Sequence, residues 1–234
     1  MRGVKGRRMD ISLIRQLACL TLLILTPDVA LSDPPKQAQL PKVVLIGDSI
    51  REGYAPRVAK ELDGKATVIS SEEFGQNSAE VLAHLDRVIN AHPDVVHFNC
   101  GLRDLAQTRR TGQMTNTLER YEENLKRIVS RLQRETNATL VFATTTPVID
   151  ARHAQRKVDF DRHDADVLKY NEIALRVMKN ANVAIDDLNC VVRQGTLDAL
   201  IGADGVHFVP SGYDVLADTV SACLLKHLAT KVRN

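Results

Sequence analysis

The sequence contains no tryptophan, and its five phenylalanines and four tyrosines make aromatics only 4% of 234 residues. So thin a set of rings gives no platform on which successive nucleobases could stack. Cysteine is scarce as well: four residues, none in the C-x-x-C pairs that close a zinc site or a redox-active turn. An excess of one charge is also missing. The 31 Lys/Arg and 29 Asp/Glu leave a formal charge of +2. Residues 1–32 carry five of the basic and two of the acidic groups, so the remainder sets 26 against 27, a formal −1. That balance gives nucleic acid or an anionic membrane no global attraction to the chain.

Long apolar runs are confined to one place. Arg2, Lys5, Arg7 and Arg8 precede "LACLTLLILT", and "ALS" at Ala30–Ser32 puts small residues before Asp33. A basic start, a short apolar centre and a small-residue end make the pattern of a secretory signal peptide over 1–32, too short for a comfortable membrane span. An uncleaved N-terminal anchor is the alternative; a lipid-anchored Cys19 is a third, against which stands its place inside the apolar run. The signal reading predicts export to the periplasm or the extracellular space, with no stable span after processing. Cys100, Cys190 and Cys223 then remain, an odd number that leaves at least one thiol free, and apolar neighbours favour packing roles.

Residues 33–41, "DPPKQAQLP", carry prolines without periodicity and read as an extended linker. From 42 to 232 the pattern is one domain. Strands are expected at Lys42–Gly47, Ala66–Ser70, Asp94–Asn99, Ala138–Thr144 and, more weakly, Asn182–Asp186. Helices are expected near 50–63, 77–91, 115–135, 165–180 and 210–230. Continuous Val/Ile/Leu runs suit strands buried on both faces, and the strict β-α alternation predicts a doubly wound, three-layer α/β domain. Its ligands should bind beyond the carboxyl ends of the strands.

Several candidate residues fall at those ends. In "VVLIGDSIREGY" (Val43–Tyr54) an apolar strand gives way to a charged helix at Ser49. Ser49 and Glu52 have the S-x-x-E spacing of a capping box, so Ser49 reads as a helix cap or as a nucleophile. A serine nucleophile needs a base, a group to orient the base, and donors for the developing oxyanion. "ADGVHFVPSGYDVLADTV" supplies Asp204 and His207 three apart in a loop, a spacing that lets the carboxylate reach Nδ1 while Nε2 faces the cleft. His84, His92 and His97 share no ligand spacing, so no metal site is expected there.

Taken together, "IGDSI", the glycine of "EFGQNSAEVLAHL", "GLRD" and "DGVHFVPSGY" resemble the SGNH/GDSL hydrolase family, in its order and over roughly Val43 to Leu225. The resemblance implies a flavodoxin-like α/β/α sandwich with a five-stranded parallel sheet and esterase or deacylase activity without metal or organic cofactor. It implies Ser49 as nucleophile, His207 as general base, Asp204 as its orienter, and the backbone N–H groups of Ser49 and Gly75 as oxyanion donors. Asp48 would support the elbow. One departure stands out. The family's G-x-N-D asparagine, a third oxyanion donor, is Arg103 here, so the third donor is Arg103 itself, Asn77 or Asn99.

The resulting expectation is an exported serine esterase acting through a covalent acyl-enzyme on short-chain or carbohydrate O-acetyl esters. The rivals are a lysophospholipase or thioesterase of the same fold, and a catalytically weak ligand-binding module motivated by Arg103. The segment Val148–Asn171 follows the fourth strand and holds Arg152 and Arg156. Either its charges pair with the intervening aspartates, or the arginines belong to a lid that grips an anionic or polyhydroxylated substrate. Oligomeric state is not legible.

Overall fold

The computed structural model describes residues 39–231. The signal-peptide segment and most of the linker lie outside the described residues. Within them, strands follow as β1 (Lys42–Ile46), β2 (Thr67–Ser70), β3 (Val95–Phe98), β4 (Gln107–Thr108), β5 (Thr139–Ala143), β6 (Phe160–Asp161) and β7 (Ala184–Asp186). Five of them make a parallel sheet in the order β2-β1-β3-β5-β7, while β4 and β6 pair antiparallel as a separate short ribbon. The central strands β1, β3 and β5 read as near-continuous apolar runs, with His97 the polar exception inside β3, because both of their faces are covered. Val43–Ile46, Val95–Phe98 and Val141–Ala143 are fully buried. The edge strands β2 and β7 are only partly buried.

The helices are α1 (Ser49–Glu61), α2 (Ser78–Ala83), α3 (Leu85–Asn90), α4 (Leu118–Glu135), α5 (Asp150–His153), α6 (Asp164–Asn180), α7 (Leu188–Gln194), α8 (Leu197–Leu200) and α9 (Pro210–Lys231). One layer is built from α1 against α9, the other from α4 against α2, α3 and α6, with the sheet between. The amphipathic α4 buries Tyr121, Leu125, Ile128, Val129 and Leu132, one face at helical spacing, and Thr117 caps it by accepting from Arg120 N–H.

The single helix expected over 77–91 is two. At His84 (φ −106°, ψ 10°) the backbone N–H is shared between the carbonyls of Glu80 and Val81, which ends α2 before α3 begins. Val81, Leu85 and Val88 stay buried across the break, so the apolar period carries no trace of it. The short α5, α7 and α8 and the β4–β6 ribbon have too few residues to show a period.

Because β2 lies on one side of β1 and β3 on the other, the strand order reverses at β1/β3. That reversal opens a crevice at the carboxyl ends of the strands. Cys100, Cys190 and Cys223 are free thiols, the first buried. Among the described residues no helix is long and apolar enough to cross a membrane.

Candidate active site

The turn from β1 into α1 is built by Gly47, Asp48 and Arg51. Asp48, not Ser49, is the helix cap: its Oδ1 accepts from Ile50 N–H at 2.9 Å. The expected Ser49–Glu52 capping box is therefore absent. A carboxylate one position earlier is the stronger acceptor for the helix N-terminus, and Glu52 instead accepts from Gln76 Nε2 at 3.1 Å. The cap's displacement leaves the Ser49 hydroxyl available. Buried Arg51 fixes the turn from below, donating to Gly47 O at 3.1 and 3.3 Å and to Ser70 Oγ at 2.8 Å. It ties the end of β1 to the end of β2, a role its exposed-looking context "DSIREG" did not advertise.

The histidine arrives on a pinched loop. An isolated bridge between Ile201 and Phe208, and Gly202 N–H donating to His207 O at 2.6 Å, close the loop's neck. Inside it Asp204 Oδ1 accepts from the backbone N–H groups of Val206 (3.0 Å) and His207 (2.9 Å), while Oδ2 sits 2.5 Å from His207 Nδ1. Gly205 (φ +76°) turns the loop against α5, where a Cβ would lie 2.5 Å from Ile149 O. The outcome is that Ser49 Oγ and His207 Nε2, 158 residues apart in the chain, stand 2.9 Å from each other. Burial raises the Asp204 pKa, but its hydrogen bonds from the His207 ring and the two backbone N–H groups outweigh that and hold it down at about 2. A carboxylate that remains ionised fixes the imidazole tautomer with Nε2 free to accept a proton.

The expected oxyanion donors divide. Ser49 N–H, at the first turn of α1, has no hydrogen-bond partner among the described residues. Gly75 N–H, by contrast, donates to Glu72 O at 3.1 Å and closes a tight turn at Glu72–Phe74, so it is not free in this conformation. Gly75 is required for another reason: at φ +93°, an added Cβ would lie 2.5 Å from Val81 N. Of the three candidates for the last donor, Asn99 gives its Nδ2 to Ala143 O at 2.7 Å and lines a small interior cavity of about 10 Å³ instead of the cleft. Asn77 lines the cleft with Ser49; its Oδ1 caps α2, accepting from Ala79 and Glu80 N–H at 3.0 Å, and this leaves its Nδ2 unpartnered among the described residues. Arg103 also lines the cleft and is exposed.

That cleft, of about 550 Å³, is bounded on its far side by Arg156, Val158, Phe160 and Arg162. Arg156 is where the lid reading put it, its Nη1 3.8 Å from Asp204 Oδ2. Arg152 is not: it donates to Ile201 O (2.7 Å) and pairs with Asp198 (2.9 Å), stapling α5 to α8 away from the cleft. Arg162, in the same segment but not singled out by its sequence, also borders the cleft. Asp161 and Asp164 flank it in sequence and suggested neutralisation, yet they pair with Arg109 and Arg193. Beneath the cleft, buried Asp104 accepts from Ser78 N–H at 3.0 and 3.1 Å, from Ser78 Oγ, and from Asn116 Nδ2 at 2.8 Å, joining the start of α2 to the approach to α4. Burial pushes its carboxyl up to about 6 against those bonds.

Among the described residues no three His, Cys, Asp or Glu side chains are grouped to hold a metal. His97 is fully buried in β3, with Nε2 2.9 Å from Asp186 Oδ2 on β7.

The family profile described as "GDSL-like Lipase/Acylhydrolase family" matches residues 45–215, well over half of the chain. No curated protein matches. Among solved structures, a lipase/acylhydrolase from Enterococcus faecalis aligns with a TM-score of 0.65 at 21% identity, covering 78% of this chain and 94% of that one. A carbohydrate acetylesterase family member from Sinorhizobium meliloti gives 0.63 at 16% identity, over 81% and 100%. A carbohydrate esterase family 3 protein from Talaromyces cellulolyticus gives 0.62 at 16%, over 82% and 99%. Identities this low speak for the fold, and the profile match carries the family: the chain belongs to the GDSL-like lipase/acylhydrolase family and is a carboxylic ester hydrolase of the SGNH type.

Proposed function

We propose that the chain is an exported serine esterase that removes short acyl groups, O-acetyl groups of carbohydrates above all, through Ser49, His207 and Asp204. The observation that carries this reading is the relay from Ser49 Oγ to His207 Nε2 and from Nδ1 to Asp204, at 2.9 and 2.5 Å. Ser49 Oγ attacks the ester carbonyl as His207 Nε2 takes its proton, and Asp204 stabilises the imidazolium. The negative charge forming on the carbonyl oxygen faces Ser49 N–H and the positive end of α1. Collapse breaks the bond to the alcohol, which leaves with the proton from His207. Water then gives a proton to the same nitrogen, attacks the acyl-enzyme and releases the acid, and Ser49 recovers its proton.

Two observations support the substrate class. The lining of the cleft is dominated by polar and charged side chains, which suits a small, hydrated ester better than a long acyl chain. Structures of the same fold include carbohydrate esterases. Export is supported by the basic, apolar and small-residue succession of residues 1–32. The silent-module reading keeps one argument: Gly75 N–H is engaged with Glu72 O and Arg103 replaces a compact donor.

A panel of p-nitrophenyl esters from acetate to palmitate decides among these, using protein recovered from the exported fraction. Expected are turnover falling steeply beyond butyrate, fluorophosphonate labelling at Ser49, loss of both in Ser49→Ala, and an N-terminus at Asp33. A long-chain optimum would transfer the assignment to lipid esters. Absence of both turnover and labelling would leave the silent module.

A further inference from the structure

The cleft beside Ser49 holds more cationic donors than its own carboxylates employ. Arg103, exposed, makes no hydrogen bond or ion pair among the described residues. Arg162 is 8% exposed and donates from Nε to Leu102 O at 2.8 Å. One face of its guanidinium lies over Phe160, 4.6 Å from the ring centroid. Its Nη1 and Nη2 meet no acceptor among the described residues. The Arg156 guanidinium has only the 3.8 Å contact with Asp204 Oδ2, and both oxygens of that carboxylate are already engaged by His207 and the loop backbone.

The acidic groups in reach are few. Glu80 lines the cleft, with Oε2 accepting from Gln76 N–H at 3.0 Å. Asp48, buried behind Ser49, and Asp204 act on Arg162 through their charges, yet neither meets its guanidinium in a hydrogen bond or close ion pair. Withdrawing a guanidinium from water is costly unless an anion meets it, and the planar fork of arginine is suited to the two oxygens of a carboxylate. An arginine buried to this degree, with its Nη edge unmatched and two further arginines lining the same cleft, is built for an anion that arrives with the substrate.

We propose that Arg103, Arg156 and Arg162 form an anion subsite, and that the ester hydrolysed here carries a negatively charged group, such as a carboxylate, close to its scissile bond. The proposal rests on the esterase reading above and narrows its substrate. It also accounts for Arg103 in the G-x-N-D position: a long cation there serves the substrate's charge, leaving the oxyanion to Ser49 N–H and Asn77. The charge can belong to the alcohol or to the acyl part, and the two sources are separable.

Two pairs of esters test it, each with its neutral partner as internal reference. O-acetylated glucuronic acid against O-acetylated glucose places the charge on the alcohol; p-nitrophenyl hemisuccinate against p-nitrophenyl butyrate places it on the acyl group. Expected is a kcat/KM preference of roughly 10–100-fold for the charged member of one pair, the size of a charge-assisted hydrogen bond. It should shrink with added salt and fall toward unity in Arg156→Gln and Arg103→Gln. These two side chains are accessible, so the variants avoid the folding risk of replacing Arg162. Neutral and charged esters turned over alike, with the ratio unmoved in both variants, would overturn the subsite while leaving the esterase standing. Should no ester turn over and Ser49 resist labelling, calorimetry of Ser49→Ala with glucuronate decides the subsite independently. Binding abolished by Arg156→Gln supports it, and no binding overturns it.

Discussion

Asn77 is held by its cap. Its Oδ1 is fixed by two N–H groups of α2, and the planar amide then directs Nδ2 away from that helix. Replacement by aspartate separates the two halves of the side chain, because Asp keeps an acceptor for the cap and removes the donor. Asn77→Asp is expected to melt at or above the wild-type temperature, since a carboxylate is favoured at a helix N-terminus. Its kcat should fall ~10²–10³-fold if Nδ2 serves the oxyanion. A kcat close to wild type in a stable variant would return the third-donor role to Arg103. At this scale the sequence was legible wherever spacing decides contact. Asp204 and His207 are three apart in a loop, and their meeting follows from that. It was illegible wherever a choice of partner decides. Arg152 and Arg162 look alike in "DARHAQRKVDFDRHD", yet one staples a backbone and the other borders the cleft. Asp48 took the cap that Ser49 was equally entitled to on spacing alone.

Between elements, the critical approach is that of α1 to α9. A Cβ on Gly53 would lie 2.0 Å from a Tyr213 ring carbon, with α1 starting at Ser49 and α9 following directly on the His207 loop. Gly53→Ala therefore has to move Tyr213, and with it the start of α9. The expected cost is ~1–3 kcal/mol of stability, as for other overpacked sites, together with a drop in kcat as Ser49 and His207 part. The double variant Gly53→Ala/Tyr213→Ala should recover activity relative to Gly53→Ala, which rate and melting measurements on all three would show. Equal losses in the single and double variants would mean that the helix contact does not set the serine–histidine distance. The sheet was readable from its Val-, Ile- and Leu-rich runs because β1, β3 and β5 are covered on both sides, and α4 because it is covered on one. The His84 break was not, since it is made by a shared backbone N–H that leaves the buried period intact.

For the molecule as a whole, stability against pH sums groups shifted in opposite directions, and the signs identify which one to isolate. Asp204, held down at about 2 against an ordinary 3.8, contributes stability above pH 3.8 that is lost as pH falls toward 2. His153 and His227, whose pKa values are lowered chiefly by burial, favour the fold as pH rises toward 6.5, where the unfolded imidazoles lose their protons. Asp104 acts the other way. Burial pushes it up to about 6, so the folded state binds its proton more tightly than the unfolded chain does. Its ionisation then removes stability as pH climbs from 3.8 through 6. The wild-type curve mixes all of these, whereas the difference between wild type and Asp104→Asn cancels everything but Asp104. The substitution itself has a pH-independent cost, since Oδ1 takes the bonds from Ser78 Oγ and Asn116 Nδ2 while Oδ2 shares the Ser78 N–H, and an amide NH2 in place of Oδ2 would face that donor. Upon that cost the difference should shift in the variant's favour by up to roughly 3 kcal/mol between pH 4 and pH 7, the worth of about two pKa units. Denaturant unfolding of both proteins at several pH values, in enough salt to screen the surface pairs, measures it. A difference that stays flat across this range would show that the network around Ser78 and Asn116 compensates the Asp104 charge in full.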